Sequence, residues 1–259
     1  MSSPVRPKKS LGQHFLADKR VAMKVASCLE NLSAYRHILE IGPGTGVLSH
    51  FLIDSHPDAW YGMEIDRESL DYLRAAYPKQ DDRIIQGDFL RYDLQRLFGP
   101  DQFAVIGNFP YNISSQIIFR VLAFRAQVPE LTGMFQKEVA QRIASPPGNK
   151  VYGILSVLSQ AFYDVRVRFH IPPGVFVPPP KVMSSVMHMH RKKDFLLPCN
   201  EKLFFSVVKT AFNQRRKTLR NSLRSFIVDG AKLPAQYAGE RPEQLSVKDF
   251  VSITQAIRC

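Results

Sequence analysis

Residues 39–48 read LEIGPGTGVL, an apolar run followed by three glycines and the start of an amphipathic segment. Glycine tolerates positive φ and lets the backbone approach a ligand closely at a tight strand-to-helix turn. Tight turns also use glycine for purely structural reasons, so the loop alone does not identify a ligand. The stretch does predict a strand, a turn and a helix, which form the first unit of a layered α/β fold.

Similar apolar runs recur on both sides of this loop. The predicted strands cover residues 37–41, 59–63, 83–86, 103–107, 131–136, 165–171 and 184–190. Amphipathic stretches of helical length separate many of them, and a helix is predicted over 152–162. This alternation indicates a doubly wound, Rossmann-like α/β fold, with a parallel sheet covered by helices on both faces.

The chain changes character after two breaks. Five prolines between 172 and 180 predict a rigid loop, because proline fixes φ and lacks an amide hydrogen. A charged run at 191–194 follows the last predicted strand, and the helices predicted beyond it cover 201–212, 217–227 and 246–257. We therefore expect a large α/β domain over 1–194 and a small helical domain over 195–259.

The charge balance favours a polyanionic partner. The formal net charge is +12 over 259 residues, and residues 181–230 alone carry eleven cations against three acids. A generally basic surface is the alternative interpretation. The cations that we predict to contact phosphates are Lys181, Arg215, Arg216, Lys217 and Arg220.

Cysteines and histidines indicate neither a disulfide framework nor a metal site. Cys28, Cys199 and Cys259 lie far apart without C-x-x-C spacing, and the histidines lack the spacing of metal ligands. The first residues are basic without an apolar segment, and no run of about 18 apolar residues occurs. We therefore expect a reduced, cytoplasmic protein that binds no metal and no membrane.

Two acids follow the glycine loop at informative positions. Glu64 ends the second predicted strand, 22 residues after Gly42, where a carboxylate can accept hydrogen bonds from ribose hydroxyls. Asp88 follows the third strand, where it can accept from an adenine amino group. With Gly42 and Gly44 these residues predict an adenosine-containing cofactor. A nicotinamide dehydrogenase would share the loop and the first acid, so those two features alone do not choose the cofactor.

The fourth predicted strand ends in Asn108-Phe109-Pro110-Tyr111, which matches the [N/D/S]-x-P-[Y/F] signature of enzymes that methylate an exocyclic amine of a nucleobase. Such an amine needs acceptors for its hydrogens, here the Asn108 side-chain oxygen and the Phe109 carbonyl. Pro110 would fix the turn and Tyr111 would stack on the flipped base. A strand-capping Asx-Pro turn is the structural alternative.

From this motif outward, the chain resembles the small-subunit ribosomal RNA adenine dimethyltransferase family along nearly its whole length. The matching stretches are 9–16 (KSLGQHFL), 135–142 (FQKEVAQR), 152–157 (YGILSV), 176–182 (FVPPPKV) and 212–219 (FNQRRKTL). The resemblance implies that S-adenosyl-L-methionine is the cofactor.

The family pattern also implies roles for single residues. It places His14 and Leu16 against the cofactor, together with Gly42, Glu64, Asp88 and Asn108, which complete the implied set. It makes Phe176 a second aromatic wall opposite Tyr111, whereas the residues alone favour a buried loop anchor. Three positions depart from the pattern: His14 stands where asparagine is frequent, Ile154 where arginine is frequent, and Met183 where an acid is common.

Housekeeping members of this family dimethylate two adjacent adenosines near the 3′ end of 16S small-subunit RNA, whereas macrolide-resistance members modify one adenosine of 23S RNA. The opening stretch and residues 212–220 resemble the housekeeping branch, which implies small-subunit rRNA and the assembling 30S subunit as partners of a monomer. The other hypotheses are a non-catalytic assembly factor and a DNA adenine methyltransferase. The latter shares the tetrapeptide but usually carries a separate target-recognition region.

Overall fold

The computed structural model describes residues 5–227 and 233–257. The remaining residues of the predicted domains, including Cys259, lie outside this description. The strands are β1 (Phe15–Leu16), β2 (His37–Ile41), β3 (Trp60–Glu64), β4 (Ile84–Gln86), β5 (Phe103–Asn108), β6 (Glu130–Gln136), β7 (Tyr163–Ile171), β8 (Phe176–Val177) and β9 (Ser184–Arg191). The helices are α1 (Lys19–Ala26), α2 (Val47–Ser55), α3 (Arg67–Ala76), α4 (Leu94–Phe98), α5 (Ser114–Ala123), α6 (Lys137–Ala144), α7 (Ile154–Phe162), α8 (Glu201–Asn213), α9 (Leu219–Ser222), α10 (Ala235–Ala238) and α11 (Val247–Ile257).

Seven strands form one sheet in the order β4-β3-β2-β5-β6-β9-β7, while β1 and β8 pair separately. The first strand of this sheet along the chain is β2. The chain then moves outward to β4 and returns to β5 on the other side of β2, with all of these neighbours parallel. This order confirms the doubly wound α/β prediction and places the reversal point between β2 and β5, where such folds bind ligands.

The prediction of a wholly parallel sheet was wrong at β9, which pairs antiparallel with β6. Six successive residues from Ser184 are buried, so this strand has a continuous rather than an alternating pattern. A continuous pattern does not reveal strand direction.

The predicted helix over 217–227 was also wrong as one element. The structure divides it into α9 and a separate 3-10 turn, Arg224–Phe226. The side-chain amide of Gln214 donates to the Ser222 carbonyl at 3.2 Å, and the Phe226 amide bonds instead to Leu223. The helical ladder therefore stops at the end of α9.

The described residues up to 140, together with 166–191, form one compact unit. Its core contains buried residues from α1, α2, α3 and the central strands. Trp60 is fully buried there and its indole N–H donates to the Glu40 carboxylate at 2.9 Å. Burial raises the pKa of Glu40 to about 7, because an apolar environment disfavours the charged form.

The second compact unit comprises 141–165 and the described residues from 192 onward. The predicted boundary after 194 therefore misplaces 141–165, because α7 packs against α8 and α11 of the later segment. Tyr152 and Phe250 lie within 6.0 Å and 5.9 Å of the Phe212 ring, measured between ring centroids. Among the described residues, no helix is long and apolar enough to cross a membrane.

Candidate active site

One cavity opens at the carboxyl ends of the parallel strands in the first unit. It encloses about 1010 Å³, including space open to solvent. The glycine loop, the segments that follow β3, β4 and β5, and the residues around β1 form its wall. The lining residues are Ser10–Phe15, Ile41, Gly42, Met63–Ile65, Gly87–Leu90 and Asn108–Ile113.

The first two glycines of the loop have different structural roles. Gly42 lines the cavity at φ +66°, and the position of a Cβ atom on it meets nothing within 4 Å. Gly44 lies outside the lining, where a Cβ atom would meet the Phe15 ring at 2.8 Å. The Gly44 amide donates to the Glu64 carboxylate at 3.0 Å. Gly42 therefore leaves room beside the cavity, while Gly44 positions an acid.

Glu64 is held by the backbone around it. One oxygen accepts from the amides of Ile65 and Asp66, each at 2.9 Å, and the other accepts from Gly44. Burial raises the pKa of Glu64, against the opposing effect of these donors. Asp88, also on the cavity wall, accepts from the Leu90 amide at 2.9 Å and lies 3.7 Å from the Arg91 guanidinium. Both carboxylates thus reach the cavity in fixed orientations.

The Asn-Phe-Pro-Tyr motif forms the turn after β5. The Asn108 side-chain amide donates to the His14 carbonyl at 2.7 Å, which leaves Oδ1 as an acceptor beside the cavity. The Phe109 ring is buried and lies over two glycines of the sheet, since a Cβ atom on Gly107 or Gly133 would stand 2.9 Å or 2.0 Å from it. Because Gly107 and Gly133 have no side chain, the Phe109 ring packs against the sheet and anchors this turn.

Tyr111 is fixed at two points. Its hydroxyl lies 2.6 Å from the Ser184 hydroxyl, and its ring stacks on His14 with centroids 5.6 Å apart and planes at 28°. Burial raises the pKa of Tyr111, so the side chain stays an uncharged phenol. The ring is a preorganised surface at the cavity wall.

Residues 8–16, the opening segment, run along the cavity and are tied down at both ends. The Lys8 ammonium pairs with Asp66 and lies 3.3 Å from Glu68. At the other end, Phe15 and Leu16 pair antiparallel with the two residues of β8. Sequence reasoning missed Lys8 and the β1–β8 pairing. The nearest signal was the resemblance that placed this segment over the cofactor.

The structure brings most predicted site residues together. His14, Gly42, Glu64, Asp88 and the motif Asn108–Tyr111 all line the cavity. Leu16 and Phe176 face each other across the β1–β8 pair and lie in the buried core cluster instead. Phe176 is 2% exposed, so its predicted stacking role requires the ring to leave this cluster.

The predicted phosphate contacts are surface residues. Lys181, Arg216, Lys217 and Arg220 are exposed, whereas Arg215 is half-buried and lies 3.5 Å from Glu243. Within 5–227 and 233–257, no group of three His, Cys, Asp or Glu residues could hold a metal ion. His188, for example, pairs with the buried Glu130 at 2.7 Å.

Known proteins are similar to this chain along nearly its whole length. A family model described as ribosomal RNA adenine dimethylase matches residues 5–258. The chain belongs to this family. The predicted resemblance and the methyltransferase assignment are thereby confirmed.

One curated relative and two solved structures are similar to this chain. The Ribosomal RNA small subunit methyltransferase A of Flavobacterium johnsoniae is 56% identical over 98% of this chain and 96% of its own length. A dimethyladenosine transferase from Plasmodium falciparum shares the fold, with a TM-score of 0.76 and 22% identity over 93% of this chain and 96% of that one. The 23S rRNA methyltransferase ErmE aligns with a TM-score of 0.66 and 25% identity over 93% of this chain and 99% of that one.

Proposed function

We propose that this dimethylase family member transfers methyl groups from S-adenosyl-L-methionine to the exocyclic amines of two adjacent adenosines near the 3′ end of 16S rRNA. The observation that carries the proposal is the Asn108 side chain, whose amide is held by His14 while its oxygen is free to accept a hydrogen bond at the cavity wall. This acceptor lies in the same cavity as two fixed carboxylates, Glu64 and Asp88.

The cavity suits S-adenosyl-L-methionine in three respects. The open space at Gly42 lets a ligand approach the backbone. Glu64 accepts from the ribose with the one lone pair that its three backbone donors leave, on the oxygen that also accepts from Gly44. Asp88 accepts from the adenine amino group. When bound, the cofactor supplies an electrophilic methyl group on a sulfonium. Leu16 and Gly44 support the site indirectly. Leu16 packs in the core cluster, and the Gly44 amide holds the Glu64 carboxylate.

The residues of the chain orient the target amine. Asn108 Oδ1 and the Phe109 carbonyl accept its two hydrogens, so that the nitrogen lone pair points at the methyl group. Pro110 fixes the turn and the Tyr111 ring carries the flipped base. Methyl transfer makes the nitrogen cationic and therefore acidic, so it releases its proton without a strong base. Orientation and a fixed set of acceptors account for the catalysis.

Phosphate contacts complete the proposal. Lys181 and the cations of the second unit attract the RNA backbone without reading its sequence. Those cations are Arg215, Arg216, Lys217 and Arg220. Phe176 is proposed as the second aromatic wall, reached by movement of the loop around β8.

We further infer that a monomer acts in the cytoplasm on the assembling 30S subunit. The relative named for the small subunit is 56% identical to this chain, whereas the 23S enzyme is 25% identical, which supports the 16S target over the 23S alternative. The intact Asn108–Tyr111 motif argues against a purely non-catalytic assembly factor.

The test is methyl incorporation from labelled S-adenosyl-L-methionine into unmethylated small-subunit particles, with mass mapping of the modified nucleosides. Dimethyladenosine at two adjacent positions near the 3′ end of 16S RNA is the expected result. Label confined to 23S RNA would assign the chain to the resistance branch. Particle binding without any label would favour the assembly-factor role, and label in competing duplex DNA would indicate a DNA methyltransferase.

A further inference from the structure

His14 makes three contacts with residues at or beside the proposed position of the target amine. Its backbone carbonyl accepts from the Asn108 amide at 2.7 Å. Its ring stacks on Tyr111. Its Nδ1 donates to the Pro178 carbonyl at 2.7 Å, on the loop after β8. The same residue thus contacts the acceptor of the amine hydrogens, the stacking surface and the loop beside them.

The backbone contact decides which end of the Asn108 amide faces the substrate. An asparagine side chain can rotate by 180° and exchange its oxygen for its NH2 group at nearly the same positions. The His14 carbonyl accepts hydrogen bonds only, so it holds the NH2 group and leaves the oxygen available. In the other orientation an N–H group would face the amine hydrogens, and the amine would lose an acceptor.

The ring contacts hold the two partners in place. The separation of 5.6 Å and the angle of 28° between the His14 and Tyr111 rings fall within the range of offset stacking. The hydrogen bond to Pro178 fixes the plane of the imidazole, which in turn limits the positions open to Tyr111. The Ser184 hydroxyl holds the far end of the same side chain.

We propose that the His14 side chain is a positioning residue for the target adenine, acting through the Tyr111 ring, and not a side-chain ligand of the cofactor. The Asn108 orientation is set separately by the backbone carbonyl, which any residue at position 14 would supply. The inference rests on the proposed function. It also gives a role to this chain's histidine at a position where the family frequently has asparagine.

The experiment compares the full-length wild type with His14→Ala, His14→Phe and His14→Asn. Steady-state kinetics on unmethylated small-subunit particles give kcat and KM, and calorimetry with S-adenosylhomocysteine gives the affinity of the cofactor site. We expect His14→Ala to lower kcat about 10- to 100-fold, since small displacements of reacting groups have effects of this size. The dissociation constant of S-adenosylhomocysteine should stay within about threefold of wild type.

The other variants separate the ring from its hydrogen bond. His14→Phe keeps a ring over Tyr111 without the donor to Pro178, so it should recover part of the kcat that His14→Ala loses. His14→Asn lacks the ring and should lie nearer to His14→Ala. A melting temperature within a few degrees of wild type shows that each variant is folded, and if His14→Ala is not folded, the other two variants carry the comparison.

Two results would overturn the inference while leaving the proposed function intact. One is a loss of S-adenosylhomocysteine affinity in step with the loss of kcat/KM, which would make His14 a cofactor ligand. The other is an unchanged kcat in folded variants that lack the ring. A wild type that places no dimethyladenosine in 16S RNA overturns the proposed function itself, and the inference with it.

Discussion

The cavity of the first unit and the basic surface of the second use polar side chains in opposite ways. In the cavity, Glu64 and Asn108 each make hydrogen bonds that fix their orientation. On the basic surface, Arg216, Lys217 and Arg220 are exposed, and none of them makes such a bond to another residue that the structure describes. Methyl transfer depends on the placement of single atoms, whereas attraction of phosphates depends mainly on charge. Substitutions in the two regions should therefore fail in different ways.

The largest expected effect comes from Asn108→Ala. Losing an acceptor aimed at the reacting amine should lower kcat by about 10³-fold, as for other preorganised hydrogen-bonding groups, while affinity for small-subunit particles changes less than twofold. Single-turnover methylation and filter binding measure the two quantities. Asn221→Ala, at an exposed position of α9, is the matched control and should leave both unchanged. Parallel loss of binding and catalysis on Asn108→Ala would contradict the separation between the two regions.

The two aromatic residues offer a second comparison within the first unit. Phe176→Ala removes a ring that is 2% exposed and should lower the free energy of unfolding by about 3–5 kcal/mol. Tyr111→Ala, at a half-buried position, should lower kcat with a smaller loss of stability. Urea unfolding and kinetics on the same preparations decide the point. If Phe176→Ala costs less than about 1 kcal/mol of stability but reduces kcat strongly, the ring acts mainly on the base.

Glu40, which precedes the cavity-lining Ile41, gives the first unit a stability that depends on pH. Its pKa is about 7 in the folded chain against an ordinary value of 4.5, so between these values the folded state keeps a proton that the unfolded state has released. Stability should therefore fall as pH rises through this window, by about 3 kcal/mol. Glu40→Gln should match wild type near pH 5 and exceed it at pH 8. Urea unfolding at both values measures the difference, and a gap that does not change with pH would refute the assignment.

The smallest effect is expected from the triple change Arg216→Ala, Lys217→Ala and Arg220→Ala. Affinity for small-subunit particles should fall about 10- to 100-fold near physiological salt, and the slope of log affinity against log salt should decrease by roughly 2 to 3. At saturating particle concentration kcat should change only a few-fold. A control triple of exposed cations in the first unit, Lys19, Lys79 and Arg96, should leave the slope nearly unchanged. Equal effects of the two triples would mean that overall charge, not this surface, attracts the RNA.

The sequence was most informative for residues at the ends of the predicted parallel strands, because their positions in the chain predict that they lie close together. Gly42, Glu64, Asp88 and Asn108 lie at or just after the ends of four successive strands. The carboxyl ends of parallel strands share one edge of a sheet. Their convergence in one cavity could therefore be predicted without knowing any distance. The basic residues could be predicted as a set from their density alone.

The rest of the site depends on contacts that leave no local pattern. The β1–β8 pair joins two-residue strands that are about 160 positions apart in the chain, too short for alternation to be visible. The direction of β9 was missed because its continuous burial does not reveal strand direction. The grouping of 141–165 with the C-terminal helices was missed because the buried residues of α7 do not reveal which segment they pack against. Gly44 was predicted to bind the cofactor, and its hydrogen bond to Glu64 became evident only in three dimensions.

Gly133 is a position at which tolerance to mutation should be low. It lies in β6, outside the cavity lining, yet a methyl group there would overlap the Phe109 ring at 2.0 Å and push on the turn that carries Asn108. In a saturation scan scored by methylation, this interior position should reject even alanine, the mildest replacement. Many cavity-lining positions should accept more. The set of positions at which this enzyme tolerates few substitutions should thus be wider than the set that contacts the RNA or the cofactor.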